Sequence, residues 1–183
     1  MALFEPPHEP ITDGVITMRL SSVDAGDIDA VSAYARTDEQ KHEVWLPLIS
    51  DLSAERSIDD WLEGWAGRHS HNGPTLVVTI PDVKQFIGIV GFSDRNDGVV
   101  EMIYGIAPKC RGRGLASRAA RLGALWALNL LGVTIIELRI DRNEIASQHV
   151  ALNAGFVEMG TVYQFVPGTG MTFEDLRYVL PSD

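Results

Sequence analysis

Three consecutive runs constrain this chain more than any other feature. "PTLVVTI" (74–80), "QFIGIVGFSD" (85–94) and "VVEMIYGIA" (99–107) are rich in β-branched and aromatic residues. They are separated only by the turn-forming "PDVK" and "RNDG". Connections this short join neighbouring strands antiparallel, because a parallel crossover needs a dozen or more residues. The runs therefore predict a three-stranded meander at the centre of the chain. Directly after it, "PKCRGRGLASRAARLGALWALNLLG" turns on glycines into an apolar helix. Leu115, Ala119, Leu122, Trp126 and Leu130 keep helical spacing as its buried stripe, and Gly132 is placed to stop it.

The flanking segments complete the pattern. "GVITMRLSS" reads as a strand, and "DAGDIDAVSAYAR" as a helix with Ile28, Val31 and Ala35 on one face. A second helix is expected over "SAERSIDDWLEGWAGR", with Ser53 as N-cap and Ile58, Trp61, Leu62 and Trp65 at helical spacing. After the glycine–arginine helix come the strand "VTIIELRI", the short helix "SQHVALNAG" ending at Gly155, and a hairpin of "FVEMGTVYQFV" and "FEDLRYVL" around "PGTG". The proline-rich residues 1–13 are expected to be irregular. The expected fold class is α+β (mixed α/β), a sheet with helices packed on it, in a single domain over residues 1–183.

Composition narrows the function. A net charge of -10 argues against a nucleic-acid binder, which needs a broad basic surface, and favours cationic ligands through long-range attraction. One cysteine, Cys110, cannot form an internal disulfide and fits a reducing compartment. No run is apolar enough for a membrane span, and the N-terminal stretch lacks the pattern of a signal peptide. A soluble, cytoplasmic protein is expected. His42, His69 and His71 lack cysteine or carboxylate partners at ligand spacing, so no metal is expected.

Against that acidic background, Lys109, Arg111, Arg113 and Arg118 cluster where the central helix begins. A helix N-terminus carries unpaired N–H groups and partial positive charge, and glycines let an anion approach the backbone. The expected ligand is a phosphate or pyrophosphate. The P-loop pattern is absent. A dinucleotide fingerprint would begin at Gly112-x-Gly114, but Ser117 replaces its last glycine, and the antiparallel meander does not suit a doubly wound sheet. Asp141, at the end of the next strand, is where a ribose-binding acid would fall.

"RGRGLA" resembles the Arg/Gln-x-x-Gly-x-Gly/Ala signature of the GNAT superfamily of acyl-CoA-dependent N-acyltransferases, with Arg111, Gly114 and Ala116 on its positions. "VVEMIYGIAPKCRGRGLASRA" resembles that family's central strand, turn and coenzyme-binding helix, and "IELRIDRNEIASQHVALNAGFVEMG" its next strand and helix. The N-terminal helices and late Asp175 look most like the RimJ/RimL branch. The resemblance implies a mostly antiparallel sheet with one splayed strand pair, flanked by helices, and acetyl-CoA as co-substrate. It implies that backbone amides of Arg111, Gly112, Arg113, Gly114, Leu115 and Ala116, with Ser117, hold the pyrophosphate. Main-chain groups of Ile106 and Ala107 would pair with the pantetheine arm, and Asn143 would lie near it.

For chemistry, a neutral amine must attack the thioester, so a base must remove a proton and an acid can protonate the leaving thiolate. Glu101 shares a strand face with Val99 and Ile103, an odd place for a carboxylate unless it lines a cleft, and it matches a Glu common in the family's strand. In this chain Ile103 stands where that strand carries glycine. Ser147 matches a serine near the sulfur in RimL-like enzymes; its competing role is a helix N-cap. Tyr104 is the alternative acid, its competing role core packing. Asn143 competes similarly as a turn residue. Trp45, Trp61 and Trp65 either wall an acceptor cleft or fill the core, and Cys110 is expected to be a loop residue rather than a nucleophile. The acceptor is an amine, either a peptide N-terminus or a small molecule, and a sheet-edge homodimer is expected by analogy. A non-catalytic acyl-CoA-binding module and a dinucleotide binder remain as alternatives.

Overall fold

The computed structural model describes residues 5–22, 26–35, 54–67, 73–81, 85–94, 97–130, 132–166 and 170–180. Ser53, Trp45, His42, His69 and His71 lie outside the described residues. The elements are β1 (Ile11–Thr12), β2 (Thr17–Leu20), α1 (Asp27–Ala35), α2 (Ala54–Trp65), β3 (Thr75–Ile80), β4 (Gln85–Asp94) and β5 (Val99–Ile106). They continue with α3 (Leu115–Leu128), β6 (Ile135–Asp141), α4 (Ile145–Asn153), β7 (Val157–Val166) and β8 (Met171–Leu180). The eight strands form one sheet in the order β1-β2-β3-β4-β5-β6-β8-β7. The meander is β3-β4-β5, antiparallel throughout, and β7-β8 is the terminal hairpin. Residues 11–12, expected to be irregular, instead pair with Thr17 and Met18 of β2, so the N-terminal segment starts the sheet.

The one parallel pair is β5 with β6, and it is short. Val99, Val100 and Glu101 pair with Ile135, Ile136 and Glu137. Beyond that register β5 runs on to Ile106 and β6 to Asp141 without pairing, so the two strands splay apart. On the far sides both strands stay anchored, β5 to β4 and β6 to β8. The gap is therefore a stable break inside a sheet rather than a frayed edge.

Helices cover both faces. Leu115, Ala119, Ala120, Ala124 and Ala127 of α3 join Val100, Met102, Ile136, Leu138 and Ile140 in the larger core, with Ala151 of α4. On the other face Val31 of α1 with Ile58 and Trp61 of α2 pack on Val77, Phe86 and Ile89. Trp61 and Trp65 are core residues, and the Trp65 indole edge meets Trp126 at 5.8 Å between centroids. Cys110 is also buried within the larger core.

The buried side of α3 corrects the expected stripe. Ala120, Gly123, Ala124 and Ala127 are buried, while Leu122 and Trp126 are only partly so. Small side chains let the helix settle close to the sheet: a Cβ at Gly123 would lie 2.9 Å from Cγ1 of Val90. Large residues then flank the contact rather than form it. The helix also stops earlier than expected. Asn129 is its C-cap, with Nδ2 donating to the Leu125 carbonyl at 2.8 Å, and Gly132 belongs to the turn beyond. At the end of α4 the expected stop holds. Gly155 donates to the Leu152 carbonyl and Phe156 to that of Ala151, the paired bonds of a Schellman turn.

Candidate active site

Two features meet at the C-terminal end of β5. The first is the turn into α3. Gly112 and Gly114 have φ of 72° and 71°, the left-handed region that side chains rarely adopt. Gly114 is the N-cap residue, and no side chain caps the helix. The first intrahelical bond is Arg118 N–H to Gly114 C=O, so the amides of Leu115, Ala116 and Ser117 have no helical acceptor. Gly112, Arg113 and Gly114 are exposed beside them. Left-handed glycines before an uncapped helix make a concave set of donors, a structure that binds anions.

The structure assigns other work to two of the cations. Arg111 Nε donates to the Ile106 carbonyl at 2.9 Å, and its amide donates to Pro108 C=O at 3.1 Å. The expected use of the Arg111 amide for a pyrophosphate is corrected accordingly, since that amide closes the turn at Pro108–Cys110. Arg118 pairs with Asp13 at 2.8 Å, 105 residues away in sequence. Desolvation raises the Asp13 carboxyl, but the Ile16 and Val15 amides and Arg118 outweigh it and hold it below the usual carboxylate range. Lys109 and Arg113 are exposed on the turn.

The second feature is the gap. Ala107 N–H donates to Ile87 C=O at 2.8 Å. Antiparallel alternation then turns the N–H and C=O of Ile106 and Tyr104 away from β4 and toward β6. Ala107 C=O accepts from Cys110 N–H at 2.7 Å. The Ala107 amide thus serves the sheet, and its carbonyl, which can accept a second bond, closes the turn; the gap-facing donor is the Ile106 N–H. Tyr104 Oη donates to the Ser147 carbonyl at 2.9 Å, joining β5 to α4 across the splay. Burial drives the Tyr104 hydroxyl well above its ordinary value, so it stays protonated. Ser147 lies in the first turn of α4 but is not its cap, a position held by Glu144. Asn143 is exposed, and its amide and Nδ2 donate to Asp141 Oδ1 at 2.7 and 3.0 Å, so its turn role is realised.

On the opposite face from α3 and α4, alternation lines up Glu101 of β5, Glu137, Arg139 and Asp141 of β6, and Asp175 and Arg177 of β8. Glu101 pairs in register with Glu137, Arg139 with Arg177, and Asp141 with Asp175. Glu137 is 2% exposed and accepts from Arg139 Nε and Nη2 at 3.0 and 2.8 Å and from Arg177 Nε at 2.6 Å. Arg139 Nε also lies 3.4 Å from Glu101 Oε2. Desolvation raises the Asp175 carboxyl, and the neighbouring Asp141 and Glu101 charges push it further up against the pull of Arg139. The Glu101 expectation placed one member of this row, and Asp141 and Asp175 were noted in other connections; Glu137, Arg139 and Arg177 were missed. Their signal was available as the period-two charges of "IELRID" and "EDLRY" in otherwise apolar strands.

Glu137 yields a stability prediction. Desolvation raises its carboxyl, but hydrogen bonds from Arg177 and Arg139 bring it below its ordinary value of 4.5. A depressed carboxylate stabilises the fold above its unfolded-state value and loses that contribution as pH falls through the folded one. Glu137→Gln is expected to cost about 2–3 kcal/mol at pH 7, allowing for the partial exposure of both arginines. The difference between the two melting curves is expected to shrink as pH falls below the ordinary carboxyl value and to vanish below the folded-state one. A constant difference across that range would refute the ionic origin.

Comparisons with known proteins agree on the fold and the family. The sequence profile of the acetyltransferase (GNAT) domain matches residues 17–157. No curated protein matches the sequence. Among solved structures, a Vibrio cholerae protein assigned as a ribosomal-protein-serine acetyltransferase superposes with TM-score 0.75 at 17% identity, covering 97% of this chain and 99% of its own. RimL, the ribosomal L7/L12 alpha-N-protein acetyltransferase solved with coenzyme A, gives TM-score 0.71 at 14% identity, covering 93% and 97%. The Microcin C7 self immunity acetyltransferase MccE, solved with acetyl-CoA and AMP, gives 0.71 at 15% identity over 92% and 93%. The likeness in fold extends over whole chains, and the profile spans the meander, the glycine turn and the splayed pair: this chain belongs to the GNAT family of acetyltransferases.

Proposed function

We propose that this enzyme transfers an acetyl group from acetyl-CoA to an amine, by direct attack within a ternary complex. One observation carries the reading: the uncapped, left-handed glycine turn at Gly112–Gly114 adjoins a gap in the sheet toward which Ile106 turns its N–H. The turn suits a pyrophosphate, and the gap suits an extended arm that pairs with a strand edge. Gly112, Arg113, Gly114, Leu115, Ala116 and Ser117 are the residues that would hold the phosphates. Acetyl-CoA supplies the activated acyl group. The Ile106 N–H is the donor available to a thioester oxygen, an oxyanion-type contribution worth a few kcal/mol by analogy.

Glu101 is the proposed base. It lies on the face of β5 opposite α3, so a coenzyme on the helix side and an acceptor on the carboxylate side approach the gap from opposite faces. Ser147 is the proposed acid. Tyr104, whose proton is engaged with the Ser147 carbonyl, holds α4 in place. The acceptor is read as an N-terminal α-amine or a small-molecule amine. An α-amine with a pKa of about 8 is already partly neutral at pH 7, so a single carboxylate suffices as base.

Thermal stability with saturating acetyl-CoA, free CoA and NADPH tests the reading. A ligand at about one hundred times its Kd stabilises the fold by ~2.7 kcal/mol, which moves the Tm of a chain this size by several degrees. A shift with both coenzyme A species and not with NADPH is expected. No shift with either would remove the coenzyme assignment, and a shift with NADPH alone would point to a dinucleotide. Binding without turnover across a panel of amines would instead identify a regulatory module.

A further inference from the structure

The charged row across β5, β6 and β8 does more than stabilise. Glu101 sits in the last register pair before the gap opens, beside Glu137. Glu137 is buried and cannot itself reach a substrate, yet its two oxygens bind two arginines. Of these, Arg139 makes the second contact, at 3.4 Å from Glu101 Oε2, from the neighbouring strand. Its side chain is 23% exposed, against 14% for Glu101 and 3% for Glu137, so the guanidinium spans from the interior to the carboxylate at the gap. A buried carboxylate that grips an arginine at both Nε and Nη2 leaves it little freedom.

We infer that Arg139 is a positioning residue, clamped by Glu137 so that its guanidinium fixes the Glu101 carboxylate in place at the root of the β5–β6 gap. The inference rests on the reading of Glu101 as the base. Other described charges near this row are Glu137, Asp141, Asp175 and Arg177, while the residue opposite Glu101 on β4 is the uncharged Ser93. Three carboxylates besides Glu101 share the row, and the guanidinium at 3.4 Å is a contact that draws the Glu101 carboxylate toward β6. Arg177 is engaged with the far oxygen of Glu137 and lies one strand further away.

The test is the steady-state kinetics of acetyl transfer by the full chain, with kcat separated from KM and Glu101→Gln measured alongside. Arg139→Gln removes the cation. The double variant Arg139→Gln/Glu137→Gln removes the clamp as well, so no buried carboxylate is stranded if the single variant folds poorly. In both, kcat is expected to fall by about tenfold with KM for acetyl-CoA unchanged, and Arg139→Lys to recover most of the rate. A Tm shift with free CoA verifies that each variant is folded with its coenzyme site intact. If kcat is unchanged in the two charge-removing variants while Glu101→Gln lowers it, Arg139 is merely structural and the inference fails alone. If Glu101→Gln keeps its full rate, the base assignment fails and takes the inference with it.

Discussion

Gly114→Val lowers the affinity for acetyl-CoA by about a hundredfold or more while the protein still folds. The residue holds φ of 71° at the N-cap of α3, and a Cβ built there meets nothing within 4 Å. Space is therefore not the obstacle. A β-branched side chain disfavours the left-handed region by about 1–2 kcal/mol, and the backbone relieves this by rotating. Rotation at the N-cap turns the adjacent amides away from where an anion would sit. The fold tolerates the change because the turn is exposed and the core contacts of α3 begin at Leu115. Gly114→Asn is the informative partner, since asparagine enters this region at lower cost and should retain more affinity. Calorimetry with acetyl-CoA reads both. Full affinity in Gly114→Val would mean that the coenzyme does not sit on this turn.

The second large effect is at Glu101. Glu101→Gln keeps the shape of the side chain and removes its ability to take a proton. Loss of a general base lowers kcat/KM by about 10²–10⁴-fold, while acetyl-CoA affinity stays unchanged because the proposed phosphate donors lie on the α3 side of the sheet, opposite Glu101. The rate at higher pH should recover in part, as more of the acceptor amine is neutral without help. Retention of full activity would move the base elsewhere on the same face. Asp175 would then be the residue to change, because desolvation and the Asp141 and Glu101 charges already hold its carboxyl above the usual range.

Much of this molecule is written in short-range pattern. Alternating β-branched residues with four-residue connections define the meander, and β4 spans Gln85–Asp94, the run read from the sequence. The glycine–arginine turn was legible because left-handed backbone at a helix start needs glycine whatever surrounds it. Glu101 was legible because a carboxylate on an apolar alternation is conspicuous. The depth of α3 was not. Periodicity marks the apolar side of a helix but not how near it approaches the sheet, and here small residues at Ala120, Gly123 and Ala124 set the contact.

The partners of the polar groups were set by the assembled sheet and helices. Arg118 belongs with Asp13 and Arg111 with the Ile106 carbonyl, so two cations that looked equally available to an anion are committed to the protein. The Ala107 amide turns to Ile87 and that of Ile106 to the gap, a choice made by ladder register. Glu137, Arg139 and Arg177 become a buried ion cluster only because β6 and β8 bring them into register across the sheet. Backbone preference and hydrophobic period act over a few residues, so local pattern was enough to mark most of the elements, their order and the left-handed glycine turn before α3. Hydrogen bonds and ion pairs act between groups that are neighbours only once the sheet is assembled, so the partners of each charge, and with them the working geometry of the site, were settled by the fold.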